Sequence, residues 1–222
     1  MGISSNFLHF ILLFIVLLFL RVLYLVFLVM TNKREAQRKR QSHESVKTLI
    51  VIGSGGHTTE MLRLVCSLNS FRYSPRIYVM ASSDIWSEQK INDHEEKWKR
   101  RTGHSTYSIV KIPRSRSVHQ SYSTSVVTFL YSTLYTVPIM LWHNPDIILC
   151  NGPGTCIPVC LVAFFMRCLF LSNNVILFIE SICRVKALSL SGKILHFFAD
   201  KILVQWPDLL SMYSRAQYIG RV

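Results

Sequence analysis

The stretch Gly53-Ser54-Gly55-Gly56-His57 lies between the apolar run 48–52 and the helix-like segment that starts at Thr58. Glycines in that position let backbone N–H groups converge on one point, and a helix start adds partial positive charge there. The natural occupant is an anion. A second such stretch, Asn151-Gly152-Pro153-Gly154-Thr155, follows the apolar run 146–150 and opens another helical pattern. A single turn of this kind is structural as often as it is ligand-binding. Two at equivalent places are much less easily accidental, and together they would grip both phosphates of a diphosphate. The candidate ligand-binding residues are therefore Gly53, Ser54, Gly55, Gly56, Thr58, Asn151, Gly152, Gly154 and Thr155. Arg114 and Arg116 follow a third apolar run. They either offer forked guanidinium contacts to a phosphate or headgroup, or decorate a solvated loop.

Proton-transfer candidates are few. His57, at a helix start, favours the neutral imidazole that accepts a proton, unless it only braces the neighbouring turn. Glu180 ends the run 175–179, so it is either a second acid–base candidate or the partner of Arg184 four positions on. Thr58 or Thr59 suits a helix cap, with Glu60 as its reciprocal partner. No Ser/His/Asp set assembles.

Several chemistries are disfavoured. The first loop is not Gly-x-Gly-x-x-Gly, and the region about 20 positions on reads Phe71-Arg72-Tyr73-Ser74, without the acid that a ribose hydroxyl requires. No nicotinamide cofactor, and so no membrane-bound reductase, is expected. Ser191-Gly192-Lys193 lacks the upstream glycine of a P-loop. The cysteines Cys66, Cys150, Cys156, Cys160, Cys168 and Cys183 match no zinc spacing and read mostly as small core residues. No metal is expected.

The elements that must position these residues alternate. Strands are expected at 48–52, 76–81, 107–112, 146–150, 175–179 and 201–204, and helices at 58–68, 84–101, 118–142, 155–169 and 184–198. That alternation predicts an α/β fold, a single Rossmann-like doubly wound parallel sheet whose C-terminal strand edge carries both glycine turns. The segment 118–142 carries no charge, and it either leans on a bilayer through Tyr122, Tyr131, Tyr135 and Trp142 or is an ordinary crossover helix. The face His94-Glu-Glu-Lys-Trp-Lys-Arg-Arg101 is expected to meet solvent or membrane. The tail 213–222 has no evident core role.

The chain has 222 residues, half of them hydrophobic, a net charge of +13, a pI near 9.7 and a mean hydropathy of +0.30. The apolar excess is concentrated at 7–30, where about 1.5 Å of rise per residue exceeds a hydrocarbon core of roughly 30 Å. No Ala-x-Ala-like cleavage site follows, which favours a retained single transmembrane helix over a signal peptide. Residues 1–6 are uncharged, whereas Lys33, Arg34, Arg38, Lys39 and Arg40 follow the span, so 1–6 would be lumenal, 31–46 a basic juxtamembrane linker and 47–222 cytosolic. Arg21, inside the span, would snorkel toward headgroups or meet a partner helix or lipid phosphate. The basic balance is accounted for by membrane lipid, and no nucleic-acid motif accompanies it.

Gly53–Leu62, KIPRSRSV, NPDIILCNGPGTCIPVC, IESICRV, LSLSGKIL and VQWP together resemble one family over nearly all of 47–222. It is the membrane-anchor subunit of the eukaryotic UDP-N-acetylglucosamine transferase that adds the second GlcNAc to dolichyl-diphosphate-GlcNAc at the endoplasmic reticulum membrane. A more distant likeness is to the acceptor-binding half of the bacterial transferase that makes lipid II. The resemblance implies the N-terminal half of a GT-B glycosyltransferase, completed by a separate soluble donor-binding subunit and inactive alone. Residues 53–57 would face the lipid diphosphate, and His57 or Glu180 would serve as base unless the partner supplies it. Residues 213–222 would help dock that partner. The alternative is a purely structural recruitment anchor with no ligand-binding role.

Overall fold

A computed structural model describes residues 5–36, 45–116, 120–152 and 154–221. The expectations placed on Arg38, Lys39, Arg40, Val118 and Pro153 lie outside the described residues. The elements are α1 (Ser5–Met30), α2 (Lys33–Ala36), β1 (Thr48–Val51), α3 (Gly56–Cys66), β2 (Arg76–Ala81), α4 (Ile85–Thr102), β3 (Tyr107–Ile112) and α5 (Tyr122–His143). There follow β4 (Ile147–Asn151), α6 (Cys156–Cys168), β5 (Val175–Ile179), α7 (Leu190–Leu195), β6 (Lys201–Val204), α8 (Asp208–Met212) and β7 (Ala216–Tyr218).

All seven strands are parallel, in the order β3-β2-β1-β4-β5-β6-β7. The central strands β1 and β2 are buried at every position, which is why they read as unbroken apolar runs rather than alternating ones. Met61, Val65, Ile91 and Trp98 of α3 and α4 cover one face, and Met140, Val159, Ala163 and Leu195 of α5, α6 and α7 cover the other. The sheet is therefore doubly wound. Its strand order reverses between β1 and β4, so a crevice opens beyond the carboxyl ends of those two strands.

Three expectations need correction. The segment 184–198 is mostly a loop, and only Leu190–Leu195 is helical, because Ser189 caps α7 by accepting from the Gly192 N–H. The tail 213–222 has a core role after all: Tyr213 and Ala216 pack against the main cluster, and β7 extends the sheet from β6. Third, the face 94–101 is only half solvent, since Glu95 and Trp98 turn inward. Four of the cysteines are buried, as expected of core residues, but Cys66 and Cys183 are exposed; all six are free thiols.

Glu95 is fully buried and ion-paired with the equally buried Arg76 at 2.7 Å. Arg76 Nε donates at 2.8 Å, and the hydroxyls of Ser105 and Tyr78 donate to the same carboxylate. Burial pushes this carboxyl's pKa up, but the hydrogen bonds from Arg76, Ser105 and Tyr78 outweigh it and hold the pKa below the usual 4.5. A carboxyl depressed in the fold contributes stability above its unfolded pKa and loses it as pH falls through the folded one. Denaturant unfolding should therefore show stability falling with acid below about pH 4.5. Glu95→Gln leaves Arg76 without its counter-charge and should cost about 3–5 kcal/mol near neutral pH, with a weaker acid dependence.

Among the described residues, two helices are long and apolar enough to cross a membrane, Asn6–Met30 and Ser123–His143. The first stands clear over its early turns, but Leu25, Leu28 and Val29 are buried, and Leu25 packs with Phe164 and Cys168 of α6. The last turns of α1 thus belong to the domain rather than leading freely into a linker. In α5 the usual pattern is inverted. Ser132, Thr136 and Met140, spaced four apart, are buried, whereas Leu130, Leu134 and Trp142 are more than half exposed. Ser132 Oγ donates to the Pro113 carbonyl at 2.9 Å, so small polar groups face the protein and the apolar face points outward.

Candidate functional site

The loops after β1, β3 and β4 meet in a cleft of about 840 Å³ at the strand carboxyl edge. Of the expected site residues, Ser54, His57, Arg114, Arg116, Gly152, Gly154 and Thr155 line it. Gly55, with φ +65°, is the residue before α3, and Gly56 is its first. Both are exposed, and the amides of a first helical turn have no acceptor inside their own helix. The start of α6 lies across the cleft, so two helix starts face one space.

Gly53, Thr58, Asn151 and Glu180 are buried and set the shape of this site instead of lining it. Thr58 is fully buried; its hydroxyl donates to the Gly53 carbonyl and lies 2.7 Å from Ser87 Oγ. It neither caps α3 nor reaches the cleft. Ser87 is held in turn by Asp84, which caps α4, so the first glycine loop is pinned to the start of the next helix. Lys111 pairs with Glu88 at 2.7 Å, on α4 and not at the cleft. Ser115 accepts from Thr128 of α5 through its carbonyl, and its hydroxyl would lie 3.5 Å from a Cβ at Gly154. The second and third loops therefore pack against one another.

Glu180 is the chief displacement. It is fully buried, with one carboxylate oxygen accepting from the Ser181 N–H at 3.0 Å and the other from the Ser189 N–H and hydroxyl at 2.8 and 3.0 Å. Burial raises its pKa despite those bonds and the charge of Arg184. Its carboxylate folds the 181–189 loop, and Arg184 instead lines the cleft.

His57 is the group that the site presents. Its Nδ1 lies 2.8 Å from Oδ1 of Asn151, which is fully buried at the end of β4. With the amide oxygen facing the ring, Nδ1 is the donor of this contact. Behind it, Glu60 Oε2 is 3.9 Å from Nδ1. Glu60 also accepts from the Ile182 N–H at 2.8 Å, from the Ser181 hydroxyl and from Gln205. The residue read as a helix cap is thus a carboxylate that ties α3 to the strand ends of β5 and β6. Gln205 was missed. Its only sequence signal was a polar residue directly after the apolar run 201–204 on the ligand edge.

The likeness to known proteins settles the ancestry. A family model described as "Oligosaccharide biosynthesis protein Alg14 like" matches residues 48–222. The chain belongs to the Alg14 family. The mouse protein named UDP-N-acetylglucosamine transferase subunit ALG14 is 49% identical over 183 residues, spanning 81% of this chain and 84% of its own. The human protein of that name is 46% identical over 182 residues, spanning 81% and 84%. The Schizosaccharomyces pombe one is 42% identical over 202 residues, spanning 89% and 92%. Among solved structures, the crystal structure of Acinetobacter baumannii MurG superposes with a TM-score of 0.53 at 15% identity, over 79% of this chain and 45% of that one. That likeness shows the fold, a GT-B half as the sequence led us to expect; the chain spans under half the length of that MurG.

In this Alg14 family member, Gly152 is the tightest point of the site. It adopts φ +68°, and a Cβ there would come within 2.5 Å of the His57 ring. Gly152→Ala should therefore both strain the turn and push the imidazole off Asn151. We expect about 1–3 kcal/mol of lost stability by thermal unfolding, together with a fall in any activity that needs His57.

Proposed function

We propose that this chain is the acceptor-binding and membrane-anchoring subunit of a UDP-GlcNAc:dolichyl-diphosphate-GlcNAc N-acetylglucosaminyltransferase. In this reading α1 spans the endoplasmic reticulum membrane, the domain faces the cytosol, and a separate soluble subunit binds UDP-GlcNAc. The observation that carries the reading is the convergence of two glycine loops and two helix starts on one cleft at the switch point of the sheet. Backbone amides there suit a diphosphate, and Arg114 and Arg116 add charge on the same side. Val126 and Phe129 of α5 also line the cleft, and the outward apolar face of that helix continues from them. A polyisoprenoid tail would leave along it into the bilayer.

The chemistry is a single displacement. A hydroxyl of the acceptor GlcNAc attacks the anomeric carbon of UDP-GlcNAc, a new C–O bond forms as the bond to UDP breaks, and UDP departs. His57 Nε2 takes the hydroxyl proton, and Asn151 fixes the tautomer that permits it. The decisive experiment is a pull-down of the full chain from solubilised membranes, with the co-purifying polypeptide identified and the eluate assayed. GlcNAc transfer to a lipid diphosphate acceptor that requires both chains supports the reading. Transfer by the second chain alone at the same rate would reduce this protein to a recruitment anchor.

A further inference from the structure

A second cavity, of about 560 Å³, lies at the opposite end of the sheet. Asn144 in its wall lies three residues before β4, and the wall segment 170–173 ends two residues before β5, so it opens at the amino edge of the strands. The third side is α1. Three guanidinium groups line the cavity, those of Arg21, Arg34 and Arg167. Arg34 and Arg167 both pair with the one carboxylate of Asp200, at 2.8 and 3.2 Å. Among the described residues, three positive charges stand here against one negative.

The donors point the same way. Arg167 is 2% exposed, and its Nε is buried without a hydrogen-bond partner; Arg21 Nε is in the same condition. A buried donor left unpaired costs about 1–3 kcal/mol, more when charged, so two in the walls of one cavity mark a place for an acceptor. The contacts found for the Arg21 guanidinium are aromatic: it lies 4.1 Å from the centroid of the Phe170 ring and 5.8 Å from that of Tyr24. Among the described residues Arg21 makes no ion pair.

Phe170 is itself unusual. It adopts φ +59°, a left-handed conformation that costs a non-glycine residue about 1–2 kcal/mol, and it remains 78% exposed. Leu169 and Leu171 on either side are about half exposed. The strain holds an aromatic ring against Arg21 at the mouth of the cavity, nine positions before the end of α1. At 1.5 Å per residue that is about 13 Å back along the apolar helix, within its hydrophobic length. A site with cationic walls and an apolar rim suits a molecule with a phosphate and acyl chains.

We propose that this cavity binds the phosphodiester of an anionic glycerophospholipid, with Arg21 and Arg167 as the phosphate ligands and Phe170 and Tyr24 against its chains. The proposal rests on α1 crossing the membrane and is independent of the cleft, which lies at the other edge of the sheet.

The test uses the full chain in detergent, with phosphatidylinositol, phosphatidylcholine or inorganic phosphate added and bound molecules counted by native mass spectrometry. Arg21→Leu is the main variant because it improves the apolar helix and cannot weaken insertion through charge; Arg21→Lys tests partial rescue. Phosphatidylinositol should be retained over phosphatidylcholine. That preference should drop about tenfold in Arg21→Leu, the loss of one charge-assisted contact, and recover in part in Arg21→Lys. Acceptor binding in the cleft should not change. Equal retention by Arg21→Leu, or equal retention of phosphatidylcholine, would overturn the proposal. Occupancy by inorganic phosphate that displaces the lipid would assign the cavity to a soluble anion. Carbonate extraction separates the two readings: release of the unmodified chain from membranes would remove the membrane span and this site with it.

Discussion

Gly55→Arg is expected to lower GlcNAc transfer by about a hundredfold or more while the protein still inserts and folds. Two hydrogen bonds to a charged phosphate are worth about 1.5–3 kcal/mol each, so denying the anion its place at these amides removes at least two orders of magnitude. A Cβ at Gly55 has no atom within 4 Å, so the arginine has space, although the residue sits at φ +65° and pays some strain. Gly56→Arg separates the two effects. Position 56 is equally open and its backbone is ordinary helix, so strain is absent and only blockade remains. Both variants should lose transfer in membranes that contain the partner, and normal transfer by Gly56→Arg would remove the first loop from the binding site.

His57→Ala is expected to lower turnover about 10²–10⁴-fold, the usual contribution of a placed general base, with acceptor affinity little changed. A merely structural histidine would give a different signature, so the test includes added imidazole. Partial restoration of turnover by imidazole identifies the missing group as a proton acceptor, and unimpaired turnover in His57→Ala would assign the base to the partner. Asn151→Ala should lie between the two, because it frees the ring to rotate and exchange tautomers but leaves Nε2 present.

How far the sequence revealed this protein depended on where each residue found its partners. Strands β2, β3, β5 and β6 begin and end where their apolar runs do. β7 was invisible, since Ala-Gln-Tyr is three residues at a sheet edge and most of its surface stays exposed. The segment 184–198 carried helical spacing, yet half of it is bent into a loop by Glu180, whose carboxylate holds Ser181 and Ser189. That same capture explains why Glu180 does not line the cleft, and Thr58 was turned inward in the same way by Ser87, 29 positions away. Local chemistry announced the glycine loops because a turn followed by a helix start is a local event. It did not announce Glu60 or Gln205, whose meeting joins residues 145 positions apart. The inverted face of α5 was half visible: the absence of charge was plain, but only packing shows that Ser132 and Thr136 face the protein.

The most direct measurement is a structure of the full chain with its partner and a short-chain lipid-diphosphate-GlcNAc. The account predicts diphosphate oxygens within about 3 Å of the amides at the starts of α3 and α6. The acceptor hydroxyl should lie near His57 Nε2 and the tail should leave past Val126 and Phe129. A diphosphate held wholly by the partner, or lying anywhere but between the two glycine loops, would contradict it.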